Sequence, residues 1–170
     1  PTPIDSATRS APRCVTPSPL GLAGGMTSLQ LRAATAADIP RIAEIWYPAW
    51  QDGHLGGAPE ELVRIRTPEN FVRRATAIQP HTTLAVVDGS VVGFVAIAGD
   101  EVDQLFVDAS ARGMGIADAL LRAAEVAIAA AGHDRAWLAV VATNARARRF
   151  YERNGWSDGG GFDYVTDADE

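Results

Sequence analysis

The chain contains no lysine; all 15 of its basic residues are arginine. Alanine is abundant alongside, and we read both as compositional bias rather than design. Cysteine is nearly absent too. The lone Cys14 excludes an internal disulfide and fits a reducing cytosol. No apolar run approaches the roughly 20 residues that span a bilayer, and no segment resembles the apolar core of a signal peptide. These absences point to a cytoplasmic protein with no membrane partner. His54, His81 and His133 lack the spacing of metal ligands, so no metal is expected. Basic charge is in deficit as well. A net charge of −6 argues against nucleic acid as a partner, although a local basic patch can still serve a phosphate-bearing ligand.

What remains has ordinary globular composition. The 170 residues suit one domain with a real core, and 47% hydrophobic with 21% charged residues is typical of folded proteins. Residues 1–25 stand apart: five prolines, repeated Ser/Thr and a closing Gly-Leu-Ala-Gly-Gly predict a disordered or tag-like tail. Met26 follows and reads as the natural start of a domain over 26–170. Leu29 and Leu31 alternate with polar neighbours as a first strand. Thr35 and Asp38 form a cap-like start to a helix with Ile39, Ile42, Ile45 and Trp46 on one face. A loop is expected over 51–59, then short helices over 60–66 and 68–78, the second opened by Pro68. Asp88-Gly89 between strands 83–87 and 91–98 signals a hairpin. Strand 102–107, a long helix over 114–131, strand 136–141 and a helix over 145–153 follow, and Trp156 opens another strand. Gly155–Glu170 is short for a closing hairpin. Phe162–Val165 is the candidate final strand; otherwise the chain is cut short or a partner subunit supplies the strand, which leaves a homodimer open.

The most informative segment is Arg112-Gly113-Met114-Gly115-Ile116-Ala117, a glycine loop between a strand and a long helix. Such a loop presents unpartnered backbone N–H groups, and the helix start adds positive potential, so the pair suits phosphate. Gly113 and Gly115 let the backbone approach an anion closely. A Rossmann reading fails, because the full G-x-G-x-x-G is absent and the preceding strands look antiparallel.

This loop, the strand Glu101-Val102-Asp103-Gln104-Leu105-Phe106-Val107 and the segment Asn144-Ala145-Arg146-Ala147-Arg148-Arg149-Phe150-Tyr151-Glu152-Arg153-Asn154-Gly155-Trp156 resemble, in order and spacing, the GNAT superfamily of N-acetyltransferases. The resemblance implies an α/β fold with a mixed central sheet of about six to seven strands, splayed between the fourth and fifth and flanked by about four helices. It implies acetyl-CoA as co-substrate and an amine-bearing small molecule or protein as acceptor. Backbone of Leu105, Phe106 and Val107 would pair with the pantetheine arm as an added strand, and an N–H near Leu105 would face the thioester carbonyl. Loop residues Arg112, Gly113, Met114, Gly115, Ile116 and Ala117 would hold the pyrophosphate, with Asn144, Ala147 and Tyr151 along the arm. Asp118 departs from the family pattern and is expected to point away from the phosphates.

For catalysis the resemblance implies Glu101 as general base, with Asp103 two residues on as the alternative, and Tyr151 as the acid that protonates the leaving sulfur. Regular alternation would place both carboxylates on one face. Trp46, Trp50 and His54 are the candidate acceptor wall, although the two tryptophans, four apart, suit packing on the sheet equally well. A transferase using another acyl-CoA and a non-catalytic CoA-binding regulatory module remain the alternatives, since a fold does not determine function.

Overall fold

A computed structural model describes residues 7–9, 28–54 and 60–161. The sheet grows from short connections. Asp88 and Gly89, both at positive φ (49° and 80°), turn the hairpin between β3 (Thr82–Val87) and β4 (Ser90–Ala98). β4 pairs in turn with β5 (Glu101–Val107), and β2 (Leu29–Ala33) closes this antiparallel half against β3. The second half holds β6 (Trp137–Ala139), β1 (Ala7–Arg9) and β7 (Ser157–Asp158), giving the order β2-β3-β4-β5-β6-β1-β7. β5 and β6 run parallel and meet at one register pair, Glu101 with Trp137. Beyond that point the two strands diverge. The mixed, splayed sheet expected from the resemblance is therefore present.

Helices cover both faces because their apolar stripes fit two separate cores. On one face, α4 (Ile116–Ala130) buries Ile116, Leu120, Leu121, Ala124 and Ile128 against Val95, Val102 and Leu138. α5 (Ala145–Arg153) packs Ala147, Phe150 and Tyr151 at the edge of the same core. On the other face, α1 (Ile39–His54) and α3 (Pro68–Ile78) pack Ile42, Ile45, Trp46, Trp50, Phe71 and Ala75 against Leu84 and Phe94. Trp46 is fully buried and meets Phe71 and Phe94 edge-on at 5.3 and 5.6 Å. The short α2 (Glu60–Ile65) leads into Thr67, whose hydroxyl accepts from the Asn70 N–H and caps α3 ahead of Pro68. No helix among the described residues is long and apolar enough to cross a membrane.

Four expectations shift. α1 runs through Pro48 to His54, so residues 51–54 are helical where a loop was expected. Burial of Trp50 against Phe71 and pairing of Asp52 with Arg112 hold that last turn. β6 is shorter than 136–141, because the splay leaves Val140 and Val141 without a ladder partner among the described residues. Within the expected tail, Ala7–Arg9 forms β1 and lies antiparallel to both β6 and β7. It fills the sheet position for which the C-terminal segment looked too short, while Phe162–Val165 lies outside the described residues. Finally, the described residues form five α-helices rather than about four.

Candidate active site

The site begins with a fault in strand alternation. Along β4 and β5 the register runs Phe94–Phe106, Val95–Leu105 and Ala96–Gln104, then jumps to Ile97–Val102. Asp103 is the extra residue of a β-bulge. Val102 and Leu105, of opposite parity, consequently both face the α4 core, while Phe106 faces the α1–α3 core. Glu101, Gln104 and Phe106 thus share the α1–α3 side, with Asp103 standing out of the ladder between the first two. Simple alternation, which would place Asp103 on Glu101's face two residues on, misses this.

Three carboxylates meet there. Asp100 accepts from the Trp137 indole N–H at 2.9 Å, which anchors it where β5 and β6 join. Gln104 donates to Asp103 at 3.0 Å. Glu101 is half-buried beside both acids, and burial first, then the charges of Asp103 and Asp100, raise its pKa from 4.5 to about 7.

The divergence of β5 from β6 opens a cleft of about 1010 Å³. Leu105, Phe106 and Val107 line one bank and Ala139, Val140 and Val141 the other, with Asn144, Ala147 and Tyr151 from α5. Asn144 caps α5, its Oδ1 accepting from the Ala147 N–H at 3.0 Å. Burial pushes the Tyr151 hydroxyl up to about 12, so it is protonated at every ordinary pH. Asp103 is on the cleft wall; Glu101 adjoins the wall residues Val102 and Asp103 without being one itself.

At the α4 end, Gly113 and Gly115 adopt φ of 80° and 75°, and the space beside both is open where a Cβ would stand. Arg112 and Ala117 line the cleft, Met114 is exposed, and Ile116 turns into the core. Arg112 donates to Asp52 at 2.9 Å, tying the loop to the last turn of α1. Asp118 does point away from the loop: it accepts from Asn154 Nδ2 at 3.0 Å. An unpaired strand bank, a left-handed glycine loop and a helix N-terminus along one cleft fit the arm and pyrophosphate of coenzyme A. No cluster of three or more His, Cys, Asp or Glu suited to a metal occurs among the described residues.

The structure separates the remaining candidates. Trp46 and Trp50 are core residues that also line the cleft. His54 is the final residue of α1, and 55–59 lie outside the described residues. Missed by the sequence reading are Arg73, Arg74 and His81, on the cleft wall with Arg66, and Gln104 beside Asp103. Arg73 and Arg74 sit one turn beyond Asn70 on α3, a visible signal. Gln104 carries no signal until the bulge is known.

The fold and the site define a CoA-dependent acyltransferase. A family model of the GNAT acetyltransferases matches residues 39–156, and the chain belongs to that family. Among solved structures it is similar to the PaiA N-acetyltransferase of Thermoplasma acidophilum in complex with coenzyme A, at 19% identity and TM-score 0.59 over 81% of this chain and 99% of that one. An N-acetyltransferase of Staphylococcus aureus Mu50 matches at 18% identity and TM-score 0.58, over 81% and 99%. A transcriptional regulator of Bacillus halodurans C-125 matches at 19% and 0.63, over 82% and 98%. At these identities the structural likenesses speak to fold alone. No curated relative matches the sequence.

Proposed function

We propose that this protein transfers an acetyl group from acetyl-CoA to a primary amine by direct attack, with both substrates bound together. The observation that carries the reading is a single cleft through the splay, with a near-neutral carboxylate beside one end and a protonated phenol on its wall. Acetyl-CoA supplies the acyl carbon, whose bond to sulfur breaks as its bond to the amine nitrogen forms. Glu101 takes the amine proton, directly or through one water, because its pKa near 7 lets it be ionised and still basic at neutral pH. Asp103 and Gln104, on the wall beside it, orient the ammonium as it approaches. Backbone N–H groups near Leu105 steady negative charge on the carbonyl oxygen. Tyr151 gives its proton to the departing sulfur and takes back, directly or through water, the second proton that the attacking nitrogen sheds as the amide forms.

Calorimetric titration with acetyl-, propionyl-, succinyl- and desulfo-CoA, followed by a thiol-release assay over an amine panel, tests this reading. Saturable binding that prefers acetyl-CoA, with amine-dependent thiol release, is the expected result. Binding of none of the four by folded protein refutes it.

A further inference from the structure

The acceptor end of the cleft has a charge of its own. Arg66, Arg73, Arg74 and His81 line it; Arg73 and Arg74 lie on α3 one turn beyond Asn70, with Arg66 just before the helix and His81 just after it. Arg66 is 4% exposed and donates to Asn70 Oδ1 at 3.1 Å, so its guanidinium is built into the wall. The Arg74 guanidinium lies 4.4 Å from the centroid of the Trp46 ring, which orients it by stacking. Arg73 and Arg74 belong to α3, which packs on the α1–α3 face of the sheet, whereas the glycine loop opens α4 on the opposite face. A chain of net charge −6 has nonetheless concentrated arginine here. Asp103 and Gln104 line the same cleft, as do the apolar residues Leu62, Ile78 and Ile97.

Building on the transferase reading, we propose that the acceptor is a zwitterionic small molecule of the amino-acid class, its amine toward Asp103 and its free carboxylate on the arginines of α3. Guanidinium matches a carboxylate in a planar, charge-assisted pair, and an apolar side chain suits the apolar part of the lining. A peptide amino terminus carries a neutral amide where a free amino acid carries a carboxylate, which disfavours protein acceptors. The −6 charge of the whole chain, which by itself suggests a purely cationic amine, is outweighed locally.

The test pairs turnover with binding. Acetyl transfer is measured over a panel of free α-amino acids, the matching α-amides and the matching decarboxylated amines. Binding of N-acetylated amino acids and of their amides to the CoA-loaded protein is measured by calorimetry, which needs no catalysis. The expected result is a kcat/KM preference for the acids of about ten-fold or more, narrowed in Arg73→Gln and in Arg74→Gln, with the Kd for acetyl-CoA held. Arg73 is exposed, so its variant keeps the test open should Arg74→Gln fail to fold. Amides or simple amines turned over as well as the acids would overturn the proposal and leave the transferase reading standing. A loss of acetyl-CoA affinity in these variants would also overturn it, by assigning the wall to the nucleotide. Acid-selective binding with no turnover of any amine refutes the transferase reading, and the proposal, which names an acceptor, falls with it. No selectivity in binding or turnover overturns the proposal.

Discussion

Replacing Glu101 with Gln should abolish one limb of the pH profile and, at the same time, stabilise the protein. With its pKa raised to about 7, Glu101 makes kcat/KM climb with pH and level above neutrality in the native enzyme. The acceptor's own deprotonation adds a second rise at higher pH, which persists in the variant. Glu101→Gln removes the first rise and lowers the rate by about 10²-fold or more. Asp103→Asn keeps the base but removes a neighbouring negative charge. That charge is one of the causes that raise the Glu101 pKa, second to burial, so the inflection should move down in this variant without disappearing. The stability effect has a definite sign. A carboxyl whose folded pKa is raised contributes stability that is complete below its unfolded pKa and lost as pH rises through about 7. At pH 8 the native protein has lost that contribution; Gln cannot ionise and keeps it. Discounted for partial exposure, the gain is about 1 kcal/mol, or about 2–4 °C in Tm, present at pH 8 and absent at pH 4. A Glu101→Gln enzyme with an unaltered limb near pH 7 and native rates would refute the base assignment.

Tyr151→Phe should lower kcat by about 10²-fold while the Kd for acetyl-CoA, read by calorimetry, holds within about two-fold, because only the hydroxyl is removed. The pH–rate profile of the native enzyme should show no tyrosine limb below about pH 10, since that hydroxyl titrates near 12. Gly115→Ala places a Cβ at a φ of 75°, costing about 1–2 kcal/mol in thermal or urea melts and weakening acetyl-CoA binding in the same titration. Asp38 is held well below the usual carboxylate range, chiefly by Arg32, which donates to it at 2.7 and 2.9 Å, and by Thr35. Its contribution is present above the unfolded pKa and lost as pH falls, so Asp38→Asn should cost about 1 kcal/mol at pH 7 in urea melts and converge on the native protein toward pH 3.

Much of this was legible in the sequence because local rules and tertiary packing agree. The α4 stripe at Ile116, Leu120, Leu121, Ala124 and Ile128 reads as one face, and all five are buried. Asp88-Gly89 and the Pro68 helix start are equally local signals, and each stands where read. What escaped was decided at a distance. Ala7–Arg9 has no strand signature of its own; its partners Ala139 and Asp158 are the reason it is one. The last turn of α1 exists because Trp50 finds Phe71 and Asp52 finds Arg112. Within the site, Tyr151, Asn144 and the glycine loop could be found from their motif. The α3 arginines had periodicity but no motif to draw attention to them.

The bulge at Asp103 has a consequence for how this strand can vary. In a ladder of period two, a single extra residue inverts the phase of everything on one side of it. Val102 fills the α4 core and Glu101 faces the acceptor side because Asp103 stands out of the ladder; paired in regular alternation, Asp103 would make the two trade faces. Removing Asp103 would restore regular pairing and leave Val102 opposite Ile97 and Glu101 opposite Ala98, each on its present face. The bulge residue can thus be lost without disturbing either core, whereas drawing it into the ladder would drive a carboxylate into the hydrophobic layer and a valine out of it. Conversely, the segment before the bulge and the segment after it answer to different constraints. The first can be retuned for a new acceptor while the second goes on holding the sheet open.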